Sequence, residues 1–269
     1  MKSSVPPYFD GLIASFRDGR AGRNVHLGYW DDPPTLSTPC TPGEFEAAQA
    51  RLTEIAVALS DLAEGQDVLD VGCGFGGALQ AIGEWRTIRR TGVNIDPRQL
   101  EICRSLGAND RPLTLVAADA CALPFAPRSF DRLLCVEAMF HFRSRADFLR
   151  EAARVLRPGG SLIVSDILLR DPGSDAPIRA TELARIIGDE YGPWPHAWIE
   201  TSQIVEAARA AGLRLDKLID ATRQTLPSYR VTAPRQGEGF PLRPSAGLLL
   251  RWLHARGYAS YPIMTFVKA

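Results

Sequence analysis

The sequence predicts an α/β protein: a doubly wound, mostly parallel sheet with helices on both faces and insertions that form a cap. Three observations predict it. Short apolar strand-like runs alternate with helix-period segments from residue 67 onward. One strand-to-helix turn is rich in glycine, Asp67-Val-Leu-Asp-Val-Gly-Cys-Gly-Phe-Gly-Gly77. The chain has 269 residues, enough for one large domain of this kind with additions.

Taken in order, residues 1–30 scatter aromatics (Tyr8, Phe9, Phe16, Tyr29, Trp30) among glycine and arginine, and no regular element is assigned there. Residues 31–43 hold four prolines and read as an extended connector. Thr41-Pro42-Gly43-Glu44 has the form of a capping box, and the helix it opens carries Leu52, Ile55, Ala56 and Leu59 on one face. A strand over 68–71 precedes a helix over 78–85, and a strand over 91–95 precedes a helix over 97–106. Residues 113–117 and 132–136 are strands. Ser144 and Asp147 cap a helix whose inner face is Phe148, Leu149, Ala152, Val155 and Leu156. Arg157-Pro158-Gly159-Gly160 is expected to stop it, with a strand over 161–169. Residues 170–199 break the rhythm with prolines and the run Tyr191-Gly-Pro-Trp194-Pro-His196-Ala-Trp198. A helix over 201–211 and a strand over 213–219 resume it. A second insertion covers 221–260, with a helix near 245–256, before a last strand over 263–267.

Bulk properties narrow the partners. Lys plus Arg and Asp plus Glu number 31 each, so the formal charge is zero, and no basic stripe favours a nucleic acid. Arg86, Arg89 and Arg90 form the densest basic cluster and read as a solvated helix end. The five cysteines show no C-x-x-C spacing, which argues against a disulfide frame or a metal site and fits a reducing cytoplasm. No apolar run approaches the ~20 residues of a membrane span, and the first residues, Met-Lys-Ser-Ser-Val-Pro-Pro, lack an apolar signal core. The expected partner is a small molecule, and the chain is expected to act as a monomer or homodimer.

The glycine turn carries the first functional argument. Glycines 72, 74 and 77 fit G-x-G-x-x-G, and backbone N–H groups at a helix start favour an anion. Asp70 stands at the mouth of that turn. Beside a pyrophosphate at ~4 Å, with an effective dielectric of about 20, its charge would cost about 4 kcal/mol. A nucleoside with a cationic group and no phosphate, such as S-adenosylmethionine, would gain instead. Three later stretches agree: Gly92-Val-Asn94-Ile95-Asp96 for a ribose, Ala118-Asp119-Ala120 for adenine, and Val136-Glu137-Ala138-Met139-Phe140-His141 at the carboxyl end of the fourth strand.

With Leu123-Pro-Phe125, Ser129-Phe-Asp131 and Leu156-Arg-Pro-Gly-Gly160, these motifs resemble the class I S-adenosylmethionine-dependent methyltransferases over about residues 44–170. The resemblance implies a Rossmann-like, seven-stranded sheet with a reversed last strand. It implies cofactor contacts from Asp70, Gly72, Gly74, Gly76, Asn94, Ile95, Gln99, Asp119, Ala120 and Glu137. Asn94 departs from the class, which prefers an acid there; Asp96 is the alternative ribose partner. Asn24-Val-His26-Leu-Gly28-Tyr29-Trp30-Asp31 and Gly92-Val-Asn94-Ile-Asp96-Pro-Arg-Gln99 are similar to natural-product methyltransferases, namely the rebeccamycin-type sugar O-methyltransferases and the sterol and tocopherol C-methyltransferases. That likeness implies a lid over residues 1–43, with Tyr29 at the cofactor, on a methyltransferase domain over 44–269 whose cap insertions lie at about 170–199 and 221–260.

For a hydroxyl acceptor, His141 is the expected general base and Asp166, at the end of the fifth strand, its orienting partner. Matching His and Asp positions in the rebeccamycin-type enzymes point the same way. Glu137 either contacts the cofactor's amino group or removes a proton in a C-methylation of an alkene or prenyl-type acceptor. Tyr191, Trp194 and Trp198 are expected to cap the acceptor.

Overall fold

The computed structural model describes residues 8–83, 87–106, 113–234 and 239–269. In chain order the elements are α1 (Tyr8–Arg17), α2 (Pro42–Leu59), β1 (Asp67–Val71), α3 (Gly77–Ile82), β2 (Arg89–Asn94), α4 (Pro97–Leu106), β3 (Leu113–Ala117), β4 (Phe130–Val136), α5 (Arg145–Val155), β5 (Leu156–Ser165), β6 (Leu168–Leu169), α6 (Ala180–Tyr191), α7 (Thr201–Ala210), β7 (Leu213–Asp220), α8 (Thr222–Thr225), α9 (Tyr229–Thr232), α10 (Ala246–Ala255), β8 (Ala259–Ser260) and β9 (Pro262–Lys268). Seven strands form one sheet in the order β3-β2-β1-β4-β5-β9-β7. β3 to β5 pair in parallel, and β9 runs antiparallel to both β5 and β7, the reversed last strand that the resemblance implies. The order reverses at β1, so the carboxyl ends of β1 and β4 flank the switch point where α/β ligands bind.

Strand alternation divides the core into two layers. Val68, Leu134, Ile163 and Ile263 pack with α2, α3, α6 and α10. Leu69, Val71, Leu133, Cys135, Leu162, Val164 and Phe266 pack with α5 and α7 on the other face. Asp70 shares the parity of Val68 and so faces the α2–α3 side.

The caps form as the sequence dictates. Thr41 N donates to Glu44 Oε2 at 2.7 Å and Glu44 N to Thr41 Oγ1 at 3.2 Å, satisfying two donors at the start of α2. Asp147 N donates to Ser144 Oγ at 3.1 Å, opening α5.

Four expectations change. The irregular first segment contains α1, which buries Ile13, packs Phe16 tilted against Phe75 of the glycine loop at 4.9 Å between centroids, and ties Asp10 to Arg98 of α4 at 2.6 Å. Arg157–Gly160 does not stop a helix ahead of a strand; α5 already ends at Val155, and β5 opens at Leu156 with a register shift opposite Phe130 and Arg132. The expected strand over 161–169 divides, because the chain turns at Asp166 and β6 leaves to pair with β8. Arg89 and Arg90 belong to β2, not to a helix end: Arg89 faces Asp67 across the β1–β2 pair and bonds it at 2.5 Å, while Arg90 is buried and donates to the Leu79 carbonyl at 2.7 Å. Arg86, and the end of the helix expected over 78–85, lie outside the described residues. Among the described residues no helix is long and apolar enough to cross a membrane.

Candidate active site

The carboxyl ends of β1 to β4 open into one cavity of about 350 Å³. Gly72 and Gly74 enter it from the β1 turn, Asn94, Ile95 and Gln99 from beyond β2, Asp119 and Ala120 from beyond β3, and Glu137 and His141 from beyond β4. A narrower branch of about 60 Å³ joins it at Val25, Gly72, Gly74 and Glu137, and is lined further by Asp70, Thr53, Asn24 and Arg23.

The glycine turn requires its glycines for steric reasons. Gly72 has φ +76°, and a Cβ there would stand 2.5 Å from Ala138 Cβ. Gly76 (φ +84°) does not line the cavity; it precedes α3 and lies against Cys103 of α4, where it shapes the turn.

Two buried carboxylates face the narrow branch. Asp70 accepts no hydrogen bond from the described residues, and burial pushes its carboxyl up to about 7. Glu137 adopts φ +49°, sparse for a non-glycine residue and often a mark of function. Its Oε2 accepts from Leu27 N at 2.9 Å and Tyr261 OH at 2.6 Å, which leaves Oε1 for the cavity. Burial raises its carboxyl to about 8, against those two bonds. Unpaired acids in so dry a place favour a bound cation. Arg23, in the same branch, donates to the Leu106 carbonyl.

At the wide end, Asn94 Nδ2 donates to Gln99 Oε1 at 3.2 Å, and Asn94 Oδ1 accepts from Asp96 N at 3.0 Å. Gln99 Nε2 is a buried donor without a partner, in a residue that lines the cavity. Asp96 turns away and is held by the Arg98 guanidinium at 2.8 Å, so it is not part of the wall. Asp119 Oδ1 accepts from Cys121 N at 2.7 Å and Oδ2 from Arg143 Nε at 3.2 Å. Among the described residues Arg143 is the one arginine or lysine of the main wall, and its other nitrogens bond Asp147 and the Cys121 carbonyl. The donor set therefore fits a phosphate-free nucleoside carrying an amino-acid head: an orphaned amide donor at the wide end, two acids and one cation in the branch.

His141 lines the same cavity. Its Nδ1 lies 2.8 Å from the Pro193 carbonyl, an obligate acceptor, so Nδ1 carries the proton and Nε2 keeps its lone pair. Burial holds the imidazole down at about 4. Asp166 does not meet it. Asp166 Oδ1 accepts from Phe140 N at 3.1 Å and Oδ2 from Arg145 Nε at 3.0 Å, and burial lifts its carboxyl to about 6 against the pull of Arg145. A backbone carbonyl thus does what the sequence assigned to an aspartate.

The cap differs from expectation. Pro193 and Pro195 line the cavity, with Tyr8, Phe9 and Leu12 of α1 opposite. Trp194 instead stacks behind on Phe140 at 4.3 Å, and Tyr191 stacks on Tyr8 at 5.4 Å. Trp198 bridges to Leu169. None of these three lines the cavity. Tyr29 does not line the cavity or its branch either: its N bonds the Ala48 carbonyl at 2.8 Å, while Val25 lines both and Leu27 N bonds Glu137. Sequence reasoning missed Tyr8 and Phe9, although Phe9, Leu12, Ile13 and Phe16 recur at helical spacing. It also missed Tyr261, for which no local signal exists.

Fold, glycine cradle and buried acids together define a class I methyltransferase. The chain belongs to the S-adenosylmethionine-dependent methyltransferases. Residues 69–164 match the family described as a methyltransferase domain. Methyltransferase GfsG of Streptomyces halstedii is 34% identical over 87% of this chain and 84% of its own length. The 27-O-demethylrifamycin SV methyltransferase of Amycolatopsis mediterranei is 32% identical over 83% of this chain and 78% of its own. Geranyl diphosphate C-methyltransferase from Streptomyces coelicolor A3(2) shares the fold, with a TM-score of 0.74 over 100% of both chains at 16% identity.

Proposed function

We propose that this enzyme transfers the methyl group of S-adenosylmethionine to a hydroxyl of a small, largely apolar, natural-product-like acceptor, with His141 as general base. The observation that carries this reading is the His141 tautomer: Nδ1–H is spent on Pro193, and Nε2 is a free acceptor in the cavity. The name of the rifamycin relative, which acts on an O-demethyl compound, supports the same chemistry.

In this reading Asp70 and Glu137 would hold the cofactor's ammonium, Arg23 its carboxylate, Asn94 and Gln99 its ribose, and Ile95 with Asp119–Ala120 its adenine. Bound there, the cofactor supplies the electrophilic methyl carbon. The chain must hold the acceptor oxygen ~3 Å from that carbon, in line with the C–S bond. As the acceptor oxygen takes the methyl group, His141 Nε2 would accept the hydroxyl proton and later release it to water. The wall of Tyr8, Phe9, Leu12, Phe142, Pro193 and Pro195 suits an acceptor with ring or aliphatic surface.

His141→Ala tests the reading. Methyl transfer from radiolabelled S-adenosylmethionine into a panel of phenols and macrolide alcohols is expected to fall ~10²-fold or more, with S-adenosylhomocysteine affinity unchanged by calorimetry. Retained turnover removes His141 from the mechanism.

One observation favours a second reading. Glu137 is a desolvated carboxylate that lines the same cavity and whose Oε1 is not engaged by Leu27 or Tyr261, and such a group can take a proton after C-methylation of an alkene. A C-methylated product, with deuterium lost from the acceptor carbon, selects it; a methoxy product rejects it.

A further inference from the structure

We propose that Arg145 is a positioning residue for the base: one guanidinium braces both the turn that carries His141 and the loop whose carbonyl sets its tautomer. The proposal rests on His141 being the base. Arg145 opens α5 directly after the Ser144 cap, and it is almost wholly buried, as is Asp166. Its Nε bonds Asp166 Oδ2 at 3.0 Å. The other oxygen of that carboxylate holds Phe140 N at 3.1 Å, inside the short 3₁₀ turn Met139–His141. So the ion pair pins the turn that carries the imidazole.

The same guanidinium also reaches the loop that contacts the imidazole. Arg145 Nη1 donates to the Pro195 carbonyl at 3.4 Å and the His196 carbonyl at 3.2 Å. Those carbonyls belong to the loop that offers Pro193 O to His141 Nδ1. The loop needs an outside hold. Pro193 and Pro195 have no N–H to give, and the loop is bracketed by Gly192 at φ +93° and His196 at φ +54°. Arg145 Nη2 is buried and unpartnered, so the guanidinium is not there to satisfy its own donors. Buried ion pairs contribute little net stability over apolar residues of the same size. A device that fixes geometry explains this one better than stability does.

The consequence is chemical. Without Pro193 O in place, Nδ1–H loses its acceptor, and the proton redistributes to Nε2, the atom that must be bare. An arginine can span the carboxylate and two carbonyls; a lysine offers a point charge that pairs Asp166 alone.

The test uses histidine-labelled protein saturated with S-adenosylhomocysteine and read by ¹⁵N NMR, with His141→Ala for assignment. Wild type is expected to show the Nδ1–H tautomer. Arg145→Lys, and Arg145→Met combined with Asp166→Leu, are expected to give a mixed tautomer. Turnover on the best acceptor of the panel should fall at least tenfold, with S-adenosylhomocysteine Kd within twofold. An unchanged tautomer and unchanged turnover in both would overturn the proposal. So would loss of cofactor binding in both, which would make the pair a folding element. If His141→Ala alone retains turnover, the base reading fails, and the tautomer in the Arg145 variants still reports on positioning.

Discussion

The two ends of the cavity are built differently. The end proposed for the cofactor consists of strand termini and a glycine turn whose shape follows from local backbone rules: Gly72 at φ +76°, Asp70 on the α2–α3 side by strand parity, Asn94 and Gln99 straddling the start of α4. The acceptor end is assembled from segments distant in sequence. α1 meets the loop after α6 through Tyr8 and Tyr191 at 5.4 Å, and His141 is set by a carbonyl 52 residues away. A binding end made by local geometry and a reacting end made by tertiary packing respond to different perturbations.

The largest expected effect is at the cofactor end. In Gly72→Ala the new Cβ overlaps Ala138 Cβ, 2.5 Å away, in a backbone conformation that costs about 1–3 kcal/mol for a side-chain-bearing residue. S-adenosylhomocysteine affinity should fall at least ~100-fold, about 2.7 kcal/mol, and the melting temperature should drop. Calorimetry and thermal melts read both, and near-normal affinity would break the distinction between the ends.

An intermediate effect sharpens it. Asp70 (about 7) and Glu137 (about 8) are both raised by burial, so below pH 7 they are mainly neutral and cannot pair with an ammonium. Affinity for S-adenosylhomocysteine should therefore rise from pH 6 to pH 8 as they ionise. Asp70→Asn should lose about tenfold at pH 8, about 1.4 kcal/mol, lose less at pH 6, and show a shallower pH dependence. A parallel offset at every pH would mean that the carboxylate charge is not what the ligand reads. The smallest effect belongs to the acceptor end: Tyr8→Ala should raise the acceptor KM by roughly threefold to tenfold, as expected for one lost apolar wall contact of ~1 kcal/mol, and leave S-adenosylhomocysteine affinity alone.

The same division governs what was legible in the sequence. Strand alternation, the caps at Thr41 and Ser144 and the glycine turn obey short-range rules, so the sheet and the strand-end residues that line the cavity are legible directly. Periodicity in α1 was present but diluted by Asp10, Gly11 and Ser15. Arg90 was misplaced because its burial depends on reaching the end of α3. The cap was read by aromatic content, yet its tryptophans pack inward and its prolines face the ligand, a choice made by the backbone of the loop. Asp166 was read as the partner of His141 because strand ends neighbour one another. Arg145, sitting between them, carries no local mark.

The central claim is that an ammonium lies between Asp70 and Glu137 while the sulfur faces His141. A crystal structure of the complex with S-adenosylhomocysteine measures it directly. The homocysteine nitrogen is expected within ~3 Å of a carboxylate oxygen of Asp70 or Glu137, with the sulfur opening toward His141 Nε2. A nitrogen directed to solvent, or an adenine filling the narrow branch, would contradict it.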